Sequence, residues 1–393
     1  MWNQVREVTA LNLRSMPQRL GSSTVTVLGI AGVVVVFVSV LSMAQGFQRT
    51  MMTGGDPLTA IVLRSGASSE TGSLLGLDTV RLVKDAPGIV RENGRSQASA
   101  EFAVVVRHTQ AGTGRPMNIR LRGVESAAFN VRAEIRVVDG RPFQPGRYEL
   151  MVGRVAAQQL GNLTTGQSVQ WGGSTWDIVG VFQGDGGNVE SEVWCDVEML
   201  QQAFRRRNAF QAVYARLETP ESLDVLRSAL ANDPRLEVDI RRESEYYADQ
   251  SRTLTTLITT AGVFIAVLMG AGAIFAAVST MYASVVSRTR EIATVRAIGF
   301  GGAAVVCSVL AEASALASAG GAIGALAAWL FFDGYAVSTL NFQSMSQVGF
   351  AFAVTPALVG QGMAYAIGMG LIGAMWPAWR AARLPIVTAL RDE

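Results

Sequence analysis

The sequence predicts an α-helical membrane protein with four transmembrane helices plus an α+β extracytoplasmic domain between helices 1 and 2. Of its 393 residues, 49% are hydrophobic and only 16% are charged. A soluble globular domain carries about a quarter charged residues. The charge is also uneven, because residues 49–252 hold 24 basic and 25 acidic residues and the other 189 residues hold only 15 charged residues. Apolar flanks around a normally charged segment favour membrane helices on either side of a folded domain.

Four segments are long and apolar enough to cross ~30 Å of hydrocarbon, which takes about 20 residues. The first is expected to be an uncleaved helix, because its uncharged stretch is longer than the core of a signal peptide. The predicted segments are a cytoplasmic amphipathic elbow helix at 1–20, transmembrane helices at 21–48, 253–287, 302–332 and 350–379, the extracytoplasmic domain at 49–252, a cytoplasmic loop helix at 288–301, a short outer loop at 333–349 and a cytoplasmic tail at 380–393.

Arginine placement predicts the orientation. The N-terminal segment, the loop after the second span and the tail carry all the basic residues outside 49–252, and the loop at 333–349 has none. Basic residues concentrate in cytoplasmic loops. Both termini are therefore expected in the cytoplasm, and the domain at 49–252 on the outer side of the membrane.

The segment 49–252 reads as an α+β domain with short strands and helices. Apolar and polar residues alternate in five stretches, and three others have apolar residues about one turn apart. A division into two subdomains near Gln144–Tyr148 is expected. The predicted strands are 101–107, 118–124, 168–170, 175–182 and 211–217, and the predicted helices are 154–160, 198–206 and 221–232.

The composition excludes several activities. The single lysine, Lys84, follows no glycine-rich loop, so the chain lacks the GxxxxGK[ST] motif of a P-loop ATPase. The single histidine, His108, cannot supply an HExxH zinc site, and no G-x-S-x-G motif surrounds a serine. A net charge of +2 is too small to indicate nucleic acid. No catalytic, cofactor-binding or metal site is predicted, and the chain is expected not to be an enzyme.

The loop after the second span has the pattern of a short amphipathic helix lying at the inner membrane surface. Its apolar residues recur at helical spacing, charged residues lie on the other sides, and a glycine follows as a C-cap. The alternative is an ordinary basic loop that only sets topology. The candidate docking residues are Arg288, Arg290, Glu291, Ile292, Val295, Arg296, Ile298 and Gly299.

Glu312 is the one charged residue predicted inside a span. An intramembrane carboxylate is costly, so it marks either a pairing site or a substrate contact, with Arg296 as a candidate partner. Small residues also recur in the spans, at Gly262, Ala266 and Gly270 and at Gly320 and Gly324. Such faces let helices approach closely, so tight packing is expected rather than a water-filled channel.

Three motifs together resemble the FtsX-like/MacB-type ABC transporter permease family. The loop reads REIATVRAIG from Arg290 to Gly299, close to that family's R-E-I-G-x-x-R-A-L/I-G motif, with Ala293 in place of the usual glycine. Glu312-Ala313 matches the E-A pair early in the third span. The tail PAWRAARLPIVTALRDE, from Pro377 to Glu393, is similar to the family's ending, and its basic residues are Arg380, Arg383 and Arg391. The outer segment also looks like a MacB-type periplasmic core domain, through three stretches within residues 137–183.

The resemblance implies a function and a set of partners. The loop at 288–301 would be the coupling helix that fits a groove on an ATPase subunit. Two copies of that subunit would bind ATP and Mg, and they would be a separate polypeptide because only about 20 residues precede the first span. A second permease copy or paralogue would complete a homo- or heterodimer among membrane lipids, with a periplasmic adaptor protein and an outer-membrane duct as further candidates. The implied function is export or extraction of a substrate, such as efflux or lipoprotein-type cargo. The alternatives are a non-transporting regulator of a cell-wall hydrolase and an anchored scaffold without ATPase.

Overall fold

The computed structural model describes residues 20–53, 55–110, 114–161, 163–341 and 345–385. Contacts divide them into two compact units. The helical unit comprises the described residues of 20–45, 256–335 and 352–385, and the sheet unit comprises those of 46–255 and 336–351. The predicted elbow helix at 1–20, apart from Leu20, lies outside the described residues.

The elements are numbered in chain order. The helices are α1 (Leu20–Thr53), α2 (Leu77–Asp85), α3 (Ala128–Val131), α4 (Arg154–Gln159), α5 (Val197–Ala203), α6 (Ser222–Ala231), α7 (Glu243–Ser287), α8 (Thr289–Ala297), α9 (Gly302–Phe332) and α10 (Pro356–Ala382). The strands are β1 (Thr59–Arg64), β2 (Arg91–Glu92), β3 (Arg95–Ser96), β4 (Ala98–Thr109), β5 (Pro116–Val124), β6 (Arg136–Gly140), β7 (Glu149–Gly153), β8 (Ser168–Trp171), β9 (Ser174–Gln183), β10 (Glu192–Asp196), β11 (Ala212–Arg216), β12 (Val238–Arg242), β13 (Ala336–Asn341) and β14 (Ser346–Ala351).

Four helices of the described chain, α1, α7, α9 and α10, are long and apolar enough to cross a membrane. Their bounds differ from the predicted ones at several ends. Helix α1 continues through Thr53, and α7 begins at Glu243 rather than at residue 253. Helix α10 begins at Pro356 rather than at residue 350, because the Thr355 side chain caps it by accepting a hydrogen bond from the Leu358 amide.

Glycines set the packing of the helical unit, as the small-residue pattern predicts. A Cβ added at Gly320 would lie 2.8 Å from the Val27 carbonyl oxygen of α1, and one at Gly324 would lie 2.6 Å from that of Ala31. A Cβ at Gly270 would overlap the Tyr365 hydroxyl of α10. Larger residues at these positions would force the helices apart, so close helix approach depends on glycine.

The sheet unit contains a mixed sheet in the order β12-β1-β11-β4-β5-β10-β7-β9-β6, with β8 paired to β9. All five strands and three helices predicted in 49–252 are present within a few residues of the expected bounds. The predicted division near Gln144–Tyr148 is wrong. Instead, β4 pairs with two different strands along its length. Its residues 98–101 pair with β11, and its residues 102–109 pair with β5. One strand belongs to both halves, so no single chain boundary separates them.

The predicted short outer loop at 333–349 is a hairpin of β13 and β14 that belongs to the sheet unit. The Gly349 amide donates to the Ser191 hydroxyl at 3.0 Å, and the Phe350 ring lies 5.5 Å from that of Phe47. A Cβ at Gly349 would overlap the Val155 and Gln159 side chains. The segment between α9 and α10 is therefore an integral part of the sheet unit.

Candidate functional site

Helix α8 lies in the loop predicted to dock a partner. A single residue, Arg288, separates it from the end of α7 and is its N-cap. The helix ends at Ala297, and Ile298 is the C-cap. Gly299 follows with a φ of +105°, a conformation that L side chains rarely adopt. The glycine at this position therefore lets the chain leave the helix and enter α9.

One side of the loop is held by the helical unit through two arginines. The Arg288 guanidinium donates to Glu312 of α9 at 2.9 Å, and each of these side chains is about 5% exposed. Arg296 donates to the Leu384 carbonyl oxygen, which follows α10, at 2.5 Å. The expected Arg296–Glu312 pair is thus wrong, because the N-cap places Arg288 against α9 and Arg296 lies two turns later. Glu312 has a structural partner on the loop itself.

The other side of α8 is open. Arg290, Glu291 and Gly299 are exposed, and the Ile298 side chain is 74% exposed. Ile292 and Val295 are half-buried, and Ala293, which replaces the family's usual glycine, is buried. The candidate residues therefore form two groups, one that attaches the helix and one that presents charges and an apolar side chain outward.

The Arg288–Glu312 pair is expected to couple in a double-mutant cycle. Arg288→Met and Glu312→Met each leave a buried charge without its partner, so each should lower the free energy of unfolding. The double variant should lose about 1 kcal/mol less free energy of unfolding than the sum of the two single losses. This coupling energy is usual for polar pairs between membrane helices. Denaturant titration of the full chain in detergent measures this. Arg290→Met, at an exposed site two residues away, is the control and should change stability little, and strict additivity would contradict the pairing.

Basic residues also lie at the C-terminal end of α10, where Arg380 is in the last turn and Arg383 is the C-cap. The Arg383 guanidinium lies 4.0 Å from the centre of the Trp379 ring, and that of Arg380 lies 5.0 Å from the Tyr282 ring of α7. Arg391 lies outside the described residues. The described tail thus positions its cations on aromatic faces at the end of the helical unit to which α8 is attached.

A second polar site, which the sequence analysis did not identify, lies inside the sheet unit. We call it the buried charge cluster. Arg122 Nε lies 2.6 Å from Glu192 Oε2, and its Nη1 lies 2.7 Å from Glu70 Oε2 and 2.8 Å from Glu101 Oε2. The members, each at most 5% exposed, are Glu70, Glu101, Arg120, Arg122, Arg132, Glu192 and Glu243.

The first turn of α7 forms part of this cluster. Glu243, its first residue, lies 3.5 Å from the Arg132 guanidinium and accepts a hydrogen bond from the Asp56 amide at 3.4 Å. The Tyr246 hydroxyl accepts from the Glu70 amide at 3.0 Å, and that of Tyr247 lies 3.4 Å from the Tyr214 hydroxyl. The start of α7 is therefore fixed within the core of the sheet unit.

Close backbone packing adds to this attachment. A Cβ placed on Gly55, two residues after α1 ends, would lie 2.5 Å from the Ser244 Cα. This separation leaves room for no side chain at position 55. The chain leaving α1 and the chain entering α7 are thus in direct contact within the sheet unit.

Acid should destabilise the sheet unit through Glu70. Burial alone would raise the pKa of Glu70, but the charges of Arg120 and Arg122 and hydrogen bonds from Arg122 and Tyr214 lower it to about 2. A carboxyl with a lowered folded-state pKa contributes stability above its unfolded value, and loses it as the pH falls through the folded value. The contribution, about 3 kcal/mol, should therefore be lost between about pH 4.5 and 2.

Urea unfolding of the full chain at a series of pH values measures this loss. Glu70→Gln should be less stable than the wild type at pH 7 and should show a shallower loss over the acid window. Glu198→Gln, on the exposed start of α5, is the matched control and should retain the wild-type profile. Identical acid profiles for the wild type and Glu70→Gln would contradict the assignment.

The residues considered for catalysis are separate from both sites. His108 lies at the end of β4 with its ring 5.9 Å from that of Trp171, and burial lowers its pKa. Lys84 forms an ion pair with Glu125. Among the described residues, no group of three or more His, Cys, Asp or Glu side chains is arranged to hold a metal ion.

Known families match both parts of the chain. Residues 23–233 match the family described as MacB-like periplasmic core domain. Residues 263–386 match the family described as FtsX-like permease C-terminal. Together the two matches cover most of the sheet unit's main segment and the loop that contains α8, and residues 234–262 lie between them.

Curated relatives agree with these families. The chain is 26% identical over 304 residues to the macrolide export ATP-binding/permease protein MacB of Hahella chejuensis, covering 70% of this chain and 43% of that protein. It thus spans less than half the length of this relative. It is 23% identical over 419 residues to the uncharacterized ABC transporter permease YvrN of Bacillus subtilis, covering 97% of this chain and 96% of that protein.

Two solved structures each align with about half of the chain. The periplasmic region of MacB from Actinobacillus actinomycetemcomitans aligns with a TM-score of 0.37 at 9% identity, covering 49% of this chain and 92% of that one. The extracellular domain of the noncanonic ABC-type transporter YknZ aligns with a TM-score of 0.35 at 18% identity, covering 47% of this chain and 100% of that one.

Proposed function

Because the chain belongs to the FtsX/MacB-type family of ABC transporter permeases, we propose that it couples ATP hydrolysis by a separate ATPase subunit to movement of its periplasmic domain. It is a multi-pass membrane protein with a MacB-like periplasmic core domain. The movement would drive export or extraction of a substrate, of the efflux or lipoprotein type. Catalysis would belong to the partner, which would bind ATP and Mg, and this chain would be the non-catalytic subunit.

The observation that carries this proposal is the continuity of α7. Its first turn, at Glu243, lies in the buried charge cluster, and its last residue, Ser287, is followed directly by the N-cap of α8. The helix has 45 residues, whereas about 20 residues are enough to cross a bilayer. In this proposal α7 transmits a displacement of α8 to the cluster, because a single helix runs from one to the other.

The open side of α8 supports the ATPase as the partner. Exposed Arg290, Glu291 and Ile298 combine charges with an apolar anchor, a composition suited to a specific protein interface. In this proposal α8 faces the cytoplasm, in agreement with the arginine distribution, and both termini are cytoplasmic with the chain in the inner membrane. Two ATPase subunits and a second permease, identical or paralogous, would complete the complex.

Isolation of the native complex tests the proposal. We expect an affinity-tagged full chain, solubilised from its native membrane, to retain an ABC ATPase in stoichiometric amount. A periplasmic adaptor or outer-membrane duct in the same complex would favour efflux, and a lipoprotein would favour extraction. A cell-wall hydrolase would favour the regulatory alternative. Absence of any ATPase, with the chain intact and folded, would contradict the proposal and favour an anchored scaffold.

A further inference from the structure

Helix α10 carries two parallel rows of side chains near its C-terminal end. Residues four apart lie above one another on a helix, so each row follows the helix axis. Along both rows the residue type changes in the same order, from aliphatic to tryptophan to arginine. The rows are Ile372, Trp376 and Arg380, and Met375, Trp379 and Arg383.

The apolar part of this surface is open. Ile372, Met375, Trp376 and Trp379 line a groove of about 330 Å3. Ile372 and Met375 are each 59% exposed, and the two tryptophan rings lie 5.6 Å apart. The groove is long in the direction of the helix axis because its lining residues span two turns.

The basic end of the surface has charge available for a ligand. Arg383 lies over the Trp379 ring and Arg380 lies over the Tyr282 ring, which orients both guanidinium groups. Among the residues that the structure describes, neither arginine has a carboxylate within salt-bridge distance. Two cations thus lie directly beyond two indole rings.

We propose that this surface binds one anionic phospholipid. Its two acyl chains would lie along Ile372 and Met375, its glycerol esters beside the indole rings, and its phosphate against Arg380 and Arg383. Tryptophan favours the interface between hydrocarbon and headgroups, and clustered basic residues favour anionic headgroups. Charge complementarity selects this occupant over a second copy of the chain, whose corresponding face would present the same two cations.

The lipid would also steady α8. Arg383 precedes Leu384, whose carbonyl oxygen accepts the hydrogen bond from Arg296 of α8. A phosphate that fixes Arg383 therefore fixes the chain segment to which the loop helix is attached. This consequence rests on the proposed function, whereas lipid binding itself does not, and the following measurement requires no ATPase.

Native mass spectrometry of the full chain, titrated in detergent with dioleoyl phosphatidylglycerol or dioleoyl phosphatidylcholine, tests the site. Each arginine near an anionic headgroup is expected to contribute about a fivefold gain in affinity, so the first lipid bound should favour phosphatidylglycerol by about 25-fold. Arg380→Gln with Arg383→Gln should abolish this preference. Trp376→Leu with Trp379→Leu should weaken binding of both lipids. Arg81→Gln with Arg207→Gln, an equal change of charge at exposed positions of the sheet unit, is the control and should preserve the preference.

Three results would overturn the proposal. The wild type retains the two lipids equally, the preference survives in the double glutamine variant, or the control loses it to the same extent. A second experiment examines the competing occupant. Ile372→Cys in a Cys307→Ser background, oxidised in phosphatidylglycerol vesicles, should remain monomeric on a non-reducing gel, and an efficient cross-link between copies would assign the face to a subunit interface instead.

Discussion

Replacing Arg122 by methionine is expected to lower the free energy of unfolding of the sheet unit by about 5 kcal/mol, the upper end of the range for breaking a buried ion pair. Arg122 contacts three carboxylates, those of Glu70, Glu101 and Glu192, and all of them are buried. Removal of the guanidinium leaves these negative charges near one another and out of water. The loss should therefore exceed that of an ordinary core substitution.

Urea unfolding of the full chain, followed by the fluorescence of the buried Trp176 and Trp194, measures this effect. Arg81→Met is the matched control, since the Arg81 side chain is 67% exposed and forms an exposed ion pair with Asp78. The control should change stability by less than about 0.5 kcal/mol. Equal effects of the two substitutions would contradict a structural role for the buried charge cluster.

Placing a charge on the open side of α8 is expected to separate the permease from its ATPase. Ile298→Asp puts a carboxylate at the most exposed apolar position of the loop, where an apolar anchor would enter a partner's groove. Loss of a buried anchor typically costs 2 kcal/mol or more, so the affinity for the ATPase should fall at least about thirtyfold and its recovery should fall with it. Glu291→Lys reverses an exposed charge and should act in the same direction. Quantitative co-purification measures both.

Two comparisons make this result specific. Arg252→Glu is a charge reversal at an exposed site near the other end of α7, and it should leave ATPase recovery unchanged. Arg296→Glu should also reduce recovery, but through loss of the hydrogen bond to Leu384, so it should lower stability as well. Normal recovery of the ATPase with Ile298→Asp and Glu291→Lys, in folded protein, would remove α8 from the interface.

The membrane helices were predictable because the hydrocarbon core imposes one strong requirement. A segment that crosses it needs about 20 apolar residues, whatever its neighbours are. The helix ends were less predictable, as α7 shows. Its first turns carry Glu243 and Glu245, polar residues that hydropathy assigns to the domain, yet they continue the helix because Glu243 and the two following tyrosines are buried by the sheet unit.

The sequence analysis missed the buried charge cluster because alternating charged and apolar residues occur in two kinds of strand, those with one face in water and those whose charged face is buried. Arg120 and Arg122 lie on one face of β5, and Ile119 and Leu121 lie on the other, which is typical of a sheet with one face in water. In the structure both faces are covered, and the partners of the arginines come from as far away as Glu70 and Glu192. The residue pattern within one strand cannot show which distant carboxylates pair with its arginines.

The loop helix was predictable in its position but not in its division into two sides. Helical spacing indicated an amphipathic segment, and the motif placed it at 288–301. Only the contacts distinguish Arg288 and Arg296, which attach the loop, from Arg290 and Glu291, which are exposed. All four residues are charged, and the sequence alone does not distinguish those that attach the loop from those that are exposed.

The most direct test of the central claim measures movement of the sheet unit during ATP hydrolysis. A spin label at Arg81→Cys, in a Cys307→Ser background, and a second label on the other permease subunit report the distance between the two periplasmic domains in the intact complex. We expect this distance to change when the ATPase is trapped with ATP and vanadate, and to stay constant when the same treatment follows Ile298→Asp. An unchanged distance in a wild-type complex that hydrolyses ATP would contradict the account.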